Sequence, residues 1–250
     1  MDGEYEVPRF GQVVIGPAGS GKSTYCHGMS QYLEALGRNV AVVNLDPANE
    51  TGVNYACAVS ISELCTVDRV MEEYSLGPNG ALVFCVEYLA ENLDWLQEKL
   101  AALPADSYIL IDCPGQLELY THNRAMADIL ERVGKWNTQL VAVHLVDSQC
   151  VTDPAQFLSV LLLSLSVMLQ LALPHVNVLS KVDMLQRYSQ EGEEGLAFGL
   201  DFYCEGGQDL SYLLEYMVDC DPDMAEPGGP EENEEEEEKN EEEEKECDGR

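Results

Sequence analysis

Eight residues, Gly16-Pro17-Ala18-Gly19-Ser20-Gly21-Lys22-Ser23, constrain this chain more than any others. They fit the pattern G-x-x-x-x-G-K-[ST], follow the apolar run Phe10 to Ile15, and open the helical periodicity of Lys22 to Leu36. That order predicts a buried strand, a glycine-rich loop and a helix whose N-terminus faces an anion. Gly16, Gly19 and Gly21 let the loop wrap so that its N–H groups, with those of Ser20 and Thr24, point at phosphate oxygens. Lys22 then bridges the β- and γ-phosphates, and the Ser23 hydroxyl is offered to Mg²⁺.

The rest of the chain supplies the sheet that such a loop needs. Val40 to Leu45, Tyr108 to Asp112, Leu140 to Val146 and His175 to Leu179 are short apolar runs rich in β-branched residues, alternating with helical stretches. This is the pattern of a parallel sheet with crossover helices, so the expected fold is α/β, a P-loop NTPase with a three-layer sandwich around a mostly parallel sheet of five legible strands. Gly37 is placed to end the first helix. Ala155 to Leu173 is apolar enough to resemble a membrane span, but Ser164, Ser166 and Gln170 and the lack of basic flanks favour a helix buried between the sheet and a partner.

Charge bounds what the surface can bind. The chain carries a formal net charge of -33, of which the 32 residues from Asp219 onward hold 17 acids and 3 bases, or -14, leaving -19 on the body. A body so acidic argues against direct nucleic-acid binding and against an anionic membrane surface. The expected division is a nucleotide-binding domain over 1–218 and an acidic tail over 219–250, too poor in apolar residues to offset the entropy of ordering. The first fifteen residues show no secretory signal pattern, and nine scattered cysteines without a C-x-x-C pair read as reduced thiols rather than a disulfide frame or a zinc site.

Two further motifs follow strands. Asp112-Cys113-Pro114-Gly115-Gln116 places a carboxylate at the end of a strand beside the loop, where it can hold Mg²⁺, with Gly115 admitting a γ-phosphate and Gln116 able to orient the attacking water. Ser180-Lys181-Val182-Asp183 is similar to the [NT]-K-x-D base-recognition motif, in which the aspartate accepts two hydrogen bonds that guanine offers and adenine does not. Ser180 stands where Asn or Thr is usual, which loosens that match.

The spacing of these motifs, with Asn44-Leu45-Asp46-Pro47-Ala48-Asn49-Glu50 and Leu76-Gly77-Pro78-Asn79-Gly80 lying between the loop and Asp112, resembles the GPN-loop GTPase family over about Phe10 to Met217. The resemblance implies Mg²⁺-dependent binding of GTP and GDP and hydrolysis of GTP, in a homodimer or a heterodimer with a paralogue. It also implies that Gly77, Pro78 and Asn79 reach the phosphate site of the partner, where Asn79 stabilises the phosphate, and that Asp46 acts with Gln116 on the catalytic water or Mg²⁺. RNA polymerase II and III subunits or assembly factors as partners, and a cytoplasmic location with passage to the nucleus, are implied in the same way. The family's closing strand and helix have no evident counterpart, since 67 residues follow Asp183 and the last 32 are the acidic tail. That predicts weaker guanine discrimination than in a longer relative. Two other readings stay open: a P-loop kinase using ATP, and a nucleotide-incompetent form serving as an acidic binding module.

Overall fold

The computed structural model describes residues 8–49, 54–116, 118–121, 123–185, 200–204 and 211–220. Among the described residues six strands form one parallel sheet: β1 (Arg9–Ile15), β2 (Val40–Asn44), β3 (Cys57–Ser60), β4 (Tyr108–Asp112), β5 (Thr138–Asp147) and β6 (His175–Ser180), in the order β3-β2-β4-β1-β5-β6. The helices are α1 (Lys22–Ala35), α2 (Val67–Tyr74), α3 (Pro78–Glu91), α4 (Leu93–Ala101), α5 (Glu118–Thr121), α6 (Ala125–Lys135), α7 (Pro154–Leu171), α8 (Leu200–Cys204) and α9 (Ser211–Cys220).

The strands read as continuous apolar runs because both faces are covered. Val13, Ile15, Val43, Leu45, Ile109 and Ile111 point to the side filled by α3, α4, α6 and α7, and their neighbours Val14, Val42 and Leu110 point to the side where Cys26 of α1 and Tyr55 pack. This alternation makes the three layers. α1 ends where expected: Gly37 takes a φ of 78°, and Arg38 N–H closes onto the Leu33 carbonyl.

The sequence predicts five strands, and the sheet has a sixth, β3. It has four residues and a register shift against β2, too little for an alternation to show in the sequence. α7, expected to lie between the sheet and a partner, packs on the sheet by one face. Phe157, Ser164, Val167 and Leu171 are buried, while Leu162, Leu165, Met168 and Leu169 are exposed, Leu169 by 70%. By length and composition α7 would pass for a membrane span, yet Ser164 ties it to the sheet, 2.9 Å from His144 Nδ1 and 2.6 Å from Asn177 Oδ1.

The chain divides into two compact units, Met1–Leu200 and Asp201–Arg250. In the second, α9 spans Ser211–Cys220. Among the described residues β6 is the last strand. The acidic tail beyond residue 220 lies outside the described residues.

Candidate nucleotide site

The C-terminal ends of β1, β2, β4, β5 and β6 come out along one edge of the sheet, the position at which open parallel sheets bind ligands. The registers Val14↔Asp112, Asn44↔Asp112 and Asp147↔Ser180 therefore bring motifs far apart in sequence to one level. The turn after β1 wraps as its glycines predict, with Gly16, Gly19 and Gly21 all at positive φ. Gly16 is held most tightly, since a Cβ there would fall 2.6 Å from the Leu145 carbonyl oxygen. Ser20 is buried in the loop and its Oγ has no hydrogen-bond partner, while Thr24 faces solvent on the first turn of α1.

Three charged side chains are sunk around this loop: Lys22, Asp46 and Asp112 are only 6%, 7% and 0% exposed. Lys22 Nζ donates to the Pro17 carbonyl at 3.2 Å. Burial raises both carboxyls above the ordinary carboxylate range, and the Lys22 charge works against that rise at each. Asp46 accepts a hydrogen bond from the Ala48 N–H at 2.9 Å and a longer one from Asn49 Nδ2 at 3.4 Å. Asn49 Nδ2 also lies 3.1 Å from Ser23 Oγ, linking the end of β2 to the candidate Mg²⁺ ligand.

Asp112 shows the most telling asymmetry. Tyr55 donates to Oδ2 at 2.8 Å, whereas Oδ1 is buried without a hydrogen-bond partner. A buried carboxylate oxygen left in this state is costly unless something fills its place. An orphaned Asp112 oxygen, an orphaned Ser20 hydroxyl, Ser23 and Lys22 form a donor set that fits a phosphate chain with a hard divalent cation. Gly115 closes the far wall, where a Cβ would lie 2.8 Å from Lys22 Nζ and 2.9 Å from Ala18 Cα. Lys22, Ser23 and Gly115 line a cavity of about 500 Å³ together with Asp46, Asn49 and Gln116.

Asn79 and Gln116 meet within a single chain. Gln116 Nε2 donates to Asn79 Oδ1 at 3.2 Å, so the exposed Gly77-Pro78-Asn79 turn at the start of α3 touches a residue that lines the cavity of its own chain. Pro78 takes the first helical position, which fixes the entry of the turn into α3.

The segment expected to face the base is built differently. Ser180 Oγ donates to the Ser20 carbonyl at 2.9 Å, so the serine ties the recognition segment to the phosphate loop. Lys181 takes a φ of 57° and reaches Asp147 Oδ2 at 2.6 Å, and its carbonyl accepts from Ser148 Oγ at 2.8 Å. Asp183 is exposed in the turn after β6, and none of Ser180, Lys181 and Asp183 lines the phosphate cavity.

Sequence reasoning missed Tyr55 and Asn49. Tyr55 follows a stretch without periodicity and acts from outside every motif. Asn49 is in a quoted motif, but only the fold brings it to Ser23.

The fold and this edge define a P-loop α/β nucleotide-binding protein. A family model described as "Conserved hypothetical ATP binding protein" matches residues 14–220. GPN-loop GTPase 2 of Danio rerio is 58% identical over 209 residues, covering 84% of this chain and 65% of the fish protein. GPN-loop GTPase QQT1 of Arabidopsis thaliana is 54% identical over 218 residues, with 87% and 70% covered. In fold the chain is similar to the crystal structure of a GTPase in apo form from Pyrococcus abyssi, with a TM-score of 0.63, 27% identity, and 84% and 83% of the two chains covered. The chain belongs to the GPN-loop GTPase family. It spans about 65% of the length of the Danio rerio relative.

Proposed function

We propose that the chain binds GTP with Mg²⁺ and hydrolyses it, using the energy difference between GTP and GDP to switch the state of a dimer. The observation that carries this reading is the Asp112 carboxylate, fixed through one oxygen by Tyr55 and orphaned at the other, beside Lys22 and the Ser20 hydroxyl. Loop N–H groups and Lys22 hold the phosphates. Ser23 and Asp112 would hold the cation, which supplies charge neutralisation on the β- and γ-oxygens when bound. Gln116 and Asp46 both line the cavity. Their amide and carboxylate can position a water, and the buried carboxyl can take up its proton as hydroxide character develops.

Asn79 contributes a neutral amide where other NTPases place an arginine. Its contact with Gln116 supports a role in aligning the water-positioning amide, and family resemblance supports its action across a dimer interface. Homodimer or paralogue heterodimer, RNA polymerase II and III subunits or assembly factors as clients, and a cytoplasmic location with passage to the nucleus are proposed on that resemblance alone.

A second reading has one observation behind it, the word ATP in the description of the matching family model. The relatives' names specify GTP, and Asp183 offers a carboxylate suited to guanine. Titration calorimetry with GDP, GTP and ATP on the full chain separates these readings. Tight, Mg²⁺-dependent guanine nucleotide binding with much weaker ATP binding is expected. ATP binding equal to GTP would move the chain to the second reading, and no binding of either would remove both.

A further inference from the structure

A pair of thiols lies outside the nucleotide site. Cys65, in the turn before α2, and Cys85, on α3, have their sulfurs 3.4 Å apart, and both are thiols in this structure. Cys85 is fully buried. Cys65 is half-buried and lines a cavity of about 200 Å³ between α2 and α3, with Arg69, Tyr74, Phe84 and Tyr88 around it. One sulfur is thus reachable by a small solute, and the other waits behind it.

We infer that Cys65 and Cys85 form an oxidisable dithiol whose disulfide staples the α2–α3 hairpin presenting Asn79. With hydrogen peroxide as oxidant, the Cys65 thiolate sulfur attacks one peroxide oxygen. The S–O bond forms, the O–O bond breaks and hydroxide leaves. The Cys85 sulfur then attacks the sulfenic sulfur. The S–S bond forms, the S–O bond breaks, and the hydroxyl departs as water with the Cys85 proton. In sum, two thiols are oxidised to one disulfide and one peroxide is reduced to two waters. The sulfurs need to approach from 3.4 Å to a bonded separation of about 2 Å, a step within reach of side-chain rotation and a small shift of two packed helices.

Position gives the bond its consequence. The segment it would close, residues 66–84, contains α2, the Ser75–Gly77 connection, Pro78 and Asn79. A cross-link across that segment restricts opening of the hairpin, so Asn79 would be held in its place beside Gln116. Cys26, Cys57, Cys113 and Cys150 lack this arrangement. Cys26, Cys113 and Cys150 are buried with their thiols pushed up by burial, and the exposed Cys57 sulfur points to the Val59 carbonyl at 3.0 Å.

The test is peptide mapping of the full chain under non-reducing conditions after mild hydrogen peroxide treatment, compared with Cys65→Ser and Cys85→Ser. A linked peptide containing Cys65 and Cys85, lighter by two hydrogens, lost on treatment with dithiothreitol and missing from both variants, is expected. With it should come slower amide exchange over residues 75–80 and a higher melting temperature in the oxidised form. In Cys85→Ser, Cys65 should stop at a sulfenic acid trapped by dimedone. If that variant fails to fold, Cys65→Ser and the native chain still decide the matter. Cys65 found only as sulfinic acid, linked to a different cysteine or unmodified overturns the inference. The readout requires no nucleotide, so it can fail while GTP hydrolysis stands, and the reverse.

Discussion

The two parts of the site proposed for the phosphates and for the base are held in opposite ways. Around the phosphate cavity, Lys22, Asp46 and Asp112 are buried, and their positions follow from strand ends, a wrapped loop and hydrogen bonds from Tyr55 and Ala48. On the base side, Ser180 reaches inward to the loop carbonyl while Lys181 and Asp183 are exposed. The difference teaches where tolerance lies. A chain that binds charge with buried charge is sensitive to any loss at that place. The base recognition proposed for one exposed carboxylate would be set by a few hydrogen bonds and could be tuned without disturbing the fold.

The comparison is broken most severely at Lys22. Lys22→Ala leaves the phosphates without their buried cation and should weaken GDP binding by about 100-fold or more, on the scale of losing one partner of a buried charge pair. Calorimetry reads this directly, and a tenfold effect or less would mean the buried half is not what holds the nucleotide.

Acid should act next, and on the base-side strands first. His144 on β5 is buried, its pKa pushed down to about 4 by burial and then by His175, while Asn177 favours the charged form. An unfolded histidine protonates near 6.5. Stability from neutral His144 is therefore fully present above about pH 6.5 and is lost as pH falls toward 4, by about 3 kcal/mol at most. Denaturant midpoints measured across that window should fall with pH. His144→Asn should flatten the slope, and an unchanged slope would remove His144 as its cause.

Asp183→Ala is expected to weaken GTP binding by about 30-fold while leaving ATP binding unchanged, the scale of hydrogen bonds to a charged acceptor. Equal losses for both nucleotides would place Asp183 in the structure of the loop rather than in base recognition. The smallest effect belongs to Tyr55. Tyr55→Phe keeps the ring and removes the bond to Asp112 Oδ2, so Mn²⁺ affinity in the presence of GDP, read by electron paramagnetic resonance, should drop by about tenfold. No change would mean that Asp112 is positioned by the strand alone.

Much of this is legible in the sequence because the phosphate half is made of backbone. Gly16 to Ser23, Asp112 to Gly115 and the central strands are local patterns, and a glycine at positive φ or an apolar run declares itself in one dimension. The partnership of Tyr55 with Asp112 joins residues 57 apart in sequence, and the contact of Asn79 with Gln116 joins residues 37 apart. Both depend on the register of the sheet and the packing of α3, for which single-chain periodicity carries no signal. Ser180 gives a half-signal. Its departure from Asn or Thr is visible, but that its hydroxyl meets the Ser20 carbonyl needs β6 placed beside β5. α7 is legible as a helix packed on the sheet, but uniform apolarity does not say which of its residues the sheet covers.

Release of inorganic phosphate from GTP and from ATP, with and without Mg²⁺, by the full chain and by Gln116→Leu tests the central claim most directly. The account predicts Mg²⁺-dependent turnover of GTP well above that of ATP, reduced by about tenfold or more in Gln116→Leu while GDP still binds. ATP turnover equal to or above GTP turnover, or a Gln116→Leu chain as fast as the native one, would contradict it.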